Sequence, residues 1–374
     1  MRRVDAIVVG AGVAGSAAAR VLGERGVETV LFEQFEVGHG RGSSHGATRM
    51  FRLAYPDPDY VRLAQRALES WRQLVDAAGQ TLLVPTGGLY AGSWAEACGA
   101  ALATCRIARE WLSADAAAER FPQIAFDGLD RVLYQEDGAV CLAARTVVAQ
   151  VRLAKAAGVE LREHAEVLHF ALDDEGIAVE TAEGWTKAPV AVIAAGAWAA
   201  DLLFELGIDL PLRASFAQVS HFAPRSPVVP MPPCFIEASH GPSGLGSGGY
   251  AVPSVEGVAE IKAADGTPGR TVYPALGPFP VDPEREHADA QWVRHRFPGF
   301  DPAPVSSETC LYTMTPDEDF VLERVGPVVV GSACSGHGFK FGPLVGEILA
   351  DLAMGLDPRL PGGRFSSRRP ALAG

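Results

Sequence analysis

Val4–Val9 is a short apolar run rich in β-branched residues, and Gly10-Ala11-Gly12-Val13-Ala14-Gly15 follows it without a break. Ser16–Arg25 has helical composition and ends at Gly26, a typical C-cap residue. Glu28–Glu33 (ETVLFE) is a second buried-strand run with an acidic end. Strand, glycine turn, helix and strand thus fall within about 30 residues, the length of one parallel strand–helix–strand unit. Each glycine has its own task. Gly10 permits the tight turn out of the strand, Gly12 lets backbone approach a pyrophosphate, and Gly15 lets the helix pack on the strand. At the helix start, around Val13 and Ala14, free N–H groups and the helix dipole favour an anion. Glu33, 18 residues after Gly15, can accept hydrogen bonds from a ribose. The unit reads as a dinucleotide site. The motif alone does not separate NAD from FAD, and a ligand-free junction can have the same spelling.

Composition sets the frame. With 374 residues and about 150 per domain, two or three domains are expected. Hydrophobic residues at 48 % are enough for a large core, which excludes disorder for the bulk of the chain. A net charge of −13 argues against nucleic acid as a partner. Six cysteines without CxxC spacing predict no metal site and no disulfide framework, hence reduced thiols in a cytoplasmic protein. Arg2 and Arg3 before an apolar run mimic a secretory leader, but Asp5 and the placed glycines oppose that reading. Pro189–Leu203 contains Asp201 and is shorter than the roughly 20 residues a membrane helix needs. It reads as a buried strand, a turn at Gly196 and a helix, so no membrane span is expected.

Further along, Tyr60–Ala78 has apolar residues at helical spacing, and Thr81–Ala91 reads as a strand pair. Helices are expected over Trp94–Arg109, Ala114–Arg120 and Val140–Ala157, and a hairpin over 177–188. From about Leu210 to Val305 prolines are frequent and strands short, as in an antiparallel sheet. A helix is expected over Ala288–Arg296, a strand over Val328–Val330 and a helix over Leu344–Met354. The basic tail Pro358–Gly374 is expected on the surface.

Three more segments carry candidate chemistry. Gly40–Arg52 holds Arg41, Ser43, Ser44, His45, Arg49 and Arg52 in a Gly/Ser loop, where forked guanidinium groups suit phosphate or carboxylate. A solvated basic loop is the plainer alternative. Cys310 stands in ETCLYTMTPDEDFVL, and a lone cysteine is more often a small core residue than a reactive one. Ser335–Phe341 (SGHGFKF) joins a strand to a helix, and its N–H groups could form a second anion-binding turn or simply a turn.

GAGVAG with VLFE, SSHGATRMFRLAY, ETCLYTMTPDEDFVL and SGHGFKF occur in the order and spacing of the monomeric sarcosine oxidase family. This family includes N-methyl-amino-acid oxidases and lies within the D-amino-acid-oxidase-like flavoenzymes. The chain resembles it from about Asp5 to Pro370. The resemblance implies an α/β (α+β) architecture in which a Rossmann-like FAD-binding domain (1–80, 135–205 and 320–374) interleaves with an antiparallel-sheet substrate domain (81–134 and 206–319). It implies FAD held covalently through Cys310, a monomer, an amino-acid-like substrate and O2, with no metal.

By the same resemblance, Arg52 and Lys340 hold the substrate carboxylate, and His45 and Arg49 lie close to the flavin. Tyr250 lines the substrate cavity. Lys262 activates oxygen, with a one-residue shift in the alignment. Gly10, Gly12, Val13, Ala14, Gly15, Glu33, Arg41, Ser43, Ser44, Gly196, Cys310, Gly336, His337, Gly338, Phe339 and Lys340 fall at cofactor-binding positions. One departure stands out. The family's histidine four residues after the lysine is Gly266 here, which points away from sarcosine itself. The expected reaction is oxidation of a secondary or cyclic amino acid to an imine, with O2 reduced to H2O2. A biosynthetic imine or cyclic-amine oxidase, a flavin dehydrogenase using another acceptor, and a flavin-binding protein without turnover are the alternatives.

Overall fold

The computed structural model describes residues 1–226, 230–241, 244, 248–267 and 269–372. Among these, the strands form four sheets. One has six strands, in the order Glu160–Arg162, Thr29–Phe32, Ala6–Val9, Ala191–Ile193, Val328–Ser332 and Val321–Val325. Neighbours run parallel except for the last pair. Both faces are covered, so its central strands are buried at every position rather than alternating.

Helix Val13–Glu24 is the crossover between the first two strands of the chain in this sheet. It lies directly against helix Gly342–Ala353. A Cβ at Gly346 would sit 2.3 Å from Ala17 Cβ, and one at Gly342 2.3 Å from Val13 Cγ2. Small residues therefore set the depth at which the glycine turn is seated.

A second sheet has eight strands, in the order Ser306–Met314, Arg213–Phe222, Ile261–Ala264, Gly249–Pro253, Cys234–Glu237, Gly88–Ala91, Arg131–Gln135 and Glu110–Ser113. Its pairs are antiparallel apart from Cys234–Glu237 with Gly88–Ala91. One face packs Phe235, Ala251, Ile261 and Ala263 against Val293 and Phe297 of helix Pro283–Arg296 and the turn after it. The strand period of two sends Tyr250, Lys262 and Cys310 to the other face.

The segment 81–91 is not a strand pair. Thr86 N and Gly87 N both donate to Gly138 O, at 3.0 and 2.8 Å, and this anchor parts the two strands. Leu83–Pro85 joins a three-stranded sheet with Ala139–Leu142 and Thr48–Phe51, and Gly88–Ala91 enters the eight-stranded sheet. The expected helix over Val140–Ala157 opens as the strand Ala139–Leu142 and becomes helical at Ala143. The tail is not merely superficial. Phe365 and Leu372 are buried. Arg364 and Arg369 grip the carboxylates of Asp319 and Asp317 at 2.7–3.0 Å. This clamps the turn that follows the Cys310 strand. Residues 373 and 374 lie outside the described part. No described helix is long and apolar enough to cross a membrane.

Gly346→Val should force the two helices apart and cost about 1–3 kcal/mol. Thermal unfolding checks this as a lowered Tm.

Candidate active site

A cavity of about 610 Å³ is lined from both large sheets. Every candidate site residue borders it except Gly15, which acts one layer behind. A Cβ at Gly15 would fall 1.8 Å from Gly10 O. Gly10 itself has φ +97°, and a Cβ there would lie 2.7 Å from Ala194 O. The helix starting at Val13 has no side-chain cap from Gly12, and Val13 N donates instead to Ser44 Oγ at 3.0 Å. Glu33 is buried at its strand end, accepting from Ala11 N at 2.8 Å and Phe35 N at 3.0 Å. Arg41 lies over the Phe35 ring, and Gly196 borders the same end. A cradle closed to side chains, a buried acid and an open helix start fit a dinucleotide.

The loop that carries His45 is folded around Arg49. Its guanidinium donates to Ser43 O at 3.0 Å, His45 O at 2.8 Å and Thr48 O at 2.8 Å. Ser43 Oγ donates to Leu311 O, tying the loop to the Cys310 strand. His45 Nε2 is buried without a hydrogen-bond partner, and burial, then Arg49, holds its pKa below the usual histidine range.

Lys262 is buried at 5 % exposure and donates from Nζ to Thr48 O. Burial, reinforced by Arg49, lowers its pKa to about 7. Glu308 opposes that shift. Its own carboxyl is held down at about 2, chiefly by His221, whose Nε2 lies 3.6 Å from Glu308 Oε1. Cys310 sits between these charges. Burial raises its pKa, and Arg49 and Lys262 work against the rise. Tyr250 is pushed up to about 12 by burial.

Arg52 and Lys340 occupy the same cavity, both at 5 % exposure or less. The Arg52 guanidinium lies 3.9 Å from the Tyr55 ring centroid and 4.8 Å from that of Trp94. Lys340 Nζ donates to Tyr55 OH at 3.0 Å and His337 O at 2.6 Å, both neutral oxygens. His337 Nε2 lies 3.1 Å from Glu318 O, and a carbonyl only accepts, so Nε2 carries the proton. Nδ1 therefore accepts from Tyr55 OH at 3.1 Å. Burial keeps His337 neutral. The result is a directed chain, Lys340 to Tyr55 to His337 to Glu318, that fixes the ammonium. Trp71 Nε1 fixes the turn from behind through Lys340 O at 2.7 Å. Gly338 is needed here because a Cβ would lie 1.7 Å from Ala333 O. Burial and Arg52 together hold the Lys340 pKa well below the ordinary lysine value. Two buried cations facing one cavity make a site for a small anion. Phe339 and Gly336 complete that wall.

The FAD dependent oxidoreductase family matches residues 5–352. The chain belongs to this family. It is 34 % identical to monomeric sarcosine oxidase of Streptomyces avermitilis, over 99 % of this chain and 98 % of that one. It is 32 % identical to human peroxisomal sarcosine oxidase, over 98 % and 97 %. Among solved structures, NikD, an unusual amino acid oxidase essential for nikkomycin biosynthesis, superposes with a TM-score of 0.87 at 26 % identity, covering 98 % of both chains. The protein is an FAD-dependent oxidoreductase that acts on an amino acid.

Against this family background, four participants were absent from the sequence reading. Glu308 was legible in principle, since it stands two residues before Cys310 and a strand repeats every two. Tyr312 follows by the same rule. Tyr55 ends the segment SSHGATRMFRLAY but had no role assigned. His221 carries no local signal, because only the pairing of Arg213–Phe222 with Ile261–Ala264 sets it opposite Lys262. Gly266 does not line this cavity; it borders an adjacent one, and Pro268 of its loop lies outside the described residues.

Proposed function

We propose that the protein oxidises a secondary or cyclic α-amino acid to an imine, with O2 as acceptor and H2O2 as second product. The observation that carries this reading is the pair Arg52 and Lys340, buried in the cavity into which the dinucleotide turn opens. An arginine fork and a lysine point charge bind a carboxylate and leave the amine-bearing carbon directed into the cavity. Bound FAD supplies the two-electron redox chemistry. Residues of 1–80, 135–205 and 320–374 hold it, and those of 81–134 and 206–319 cover the substrate. Gly10, Gly12, Gly15 and Glu33 take the dinucleotide end, and Cys310 is the attachment point for the ring. His45 and Arg49 line the ring side. Gly266 in place of the family's histidine favours a substrate other than sarcosine. Cys310 apart, the other five cysteines stay as free thiols, in keeping with a cytoplasmic, reducing setting. The working unit is a monomer.

Lys262 is the cation that stabilises charge developing on oxygen as it is reduced. It is charged below its pKa of about 7 and neutral above it.

Anaerobic bleaching of the flavin by a panel of N-methyl and cyclic amino acids tests the reaction. Lys340→Met should raise KM roughly 10- to 100-fold, the loss of one charge-assisted contact. If no panel member bleaches the flavin, the proposed reaction is wrong.

Lys262→Met should leave flavin reduction nearly intact and slow reoxidation by O2 about 100-fold or more. In the unmodified protein the reoxidation rate should fall as pH rises through about 7, and in the variant that step should vanish. Stopped-flow reoxidation at a series of pH values reads both.

Acid precipitation should leave the flavin with the unmodified protein and release it from Cys310→Ser. Release from both would remove the covalent link.

A further inference from the structure

A second cavity, of about 370 Å³, adjoins the first. Tyr250 and Tyr312 line both cavities. The strand period explains why the two cavities are in line. On Ser306–Met314, Cys310 and Tyr312 border the first cavity, and Tyr312 and Met314 the second. On the adjacent strand Arg213–Phe222, Val219 borders the first, and Ala217, Ser215 and Arg213 the second. The second cavity therefore continues the same sheet face past the tyrosine pair.

Its outer wall includes the turn Asp265, Gly266 and Thr267. This turn is firmly built. Asp265 N donates to the buried Asp289 Oδ1 at 3.0 Å, and the Asp265 carboxylate accepts from Thr267 N at 2.9 Å. Arg285 holds Thr267 O at 3.0 Å. Gly266 has φ +77°, a conformation that side chains disfavour, so no side chain enters from that position. The lining pairs two arginines, Arg213 and Arg285, with two carboxylates, Asp265 and Glu318. Tyr250, Tyr312, Met314 and Ser215 line it as well. The charges of the lining thus cancel formally, and the two tyrosines shared with the first cavity make its boundary aromatic.

We propose that this second cavity is a side-chain subsite, and that the substrate is an N-substituted α-amino acid with an uncharged, ring-bearing side chain. The inference rests on the reading that Arg52 and Lys340 hold the carboxylate. With the carboxylate held there, the side chain passes the Tyr250–Tyr312 pair and is buried against Met314 and Ser215. Even where parting the pair gave up one neutral polar contact, burial of an aromatic ring returns more.

The test uses carboxylates that lack an amine and cannot be oxidised, bound to the flavin-loaded protein and read by the shift of the flavin absorbance. 3-Phenylpropanoate should bind at least tenfold tighter than acetate. Ser215→Phe, which fills the second cavity, should weaken 3-phenylpropanoate at least tenfold and leave acetate within twofold. If Ser215→Phe does not retain flavin, Met314→Trp narrows the same chamber and carries the same expectation. Equal effects on both ligands, or none on either, overturn the subsite. If acetate binds and the aryl ligand binds no tighter, the subsite alone falls. If neither ligand binds, the carboxylate reading falls and takes the subsite with it.

Discussion

Burial of positive charge in one cavity is the constraint on which the rest of this structure turns. Arg52, Lys262 and Lys340 are each at 5 % exposure or less in a chain of net charge −13. Removing such groups from water is costly unless their hydrogen bonds are met. The fold meets that demand with oxygens rather than counter-charges at Lys340, through Tyr55 and the His337 carbonyl. At Lys262 it uses Thr48 O, with the carboxylate of Glu308 in the same cavity. Two cations buried at the Arg52–Lys340 end of the cavity favour an anionic guest by their charge.

The two large sheets divide the work by geometry. The parallel sheet is buried on both faces and offers its strand ends, so the ligand cradle forms where Ala6–Val9 breaks into a glycine turn. The antiparallel sheet offers a face. Every second residue of Ser306–Met314, Arg213–Phe222 and Ile261–Ala264 points one way, which brings Cys310, Val219 and Lys262 to one wall. The tail completes the frame, because Arg364 and Arg369 lock the turn that leads from the Cys310 strand back to the parallel sheet.

Much of the local structure was legible. The helix Ala114–Arg120 and the hairpin over 177–188 are as expected, because their patterns repeat at 3.6 and at two residues. The failures have a common cause. Thr81–Ala91 looked like a strand pair because two apolar runs flank Pro85 and Gly87, yet hydrogen bonds to a distant Gly138 O separate them. The tail looked solvated because it is basic, yet its arginines find carboxylates some 45–52 positions away. Glu308 and His221 read as ordinary strand residues until register put them beside Lys262.

By itself, the sequence determined the glycine turn, the acid that ends the second strand, and the segments rich in arginine, histidine and cysteine. These depend on backbone sterics and on neighbours within a few turns of chain. Only the tertiary structure decided that Arg52, Lys262 and Lys340 share one cavity, that Lys262 titrates near 7, and that a second chamber opens past Tyr250 and Tyr312. Burial and proximity set those properties, and both arise from contacts between segments far apart in the chain, such as Lys262 with Thr48 O and Lys340 with Tyr55.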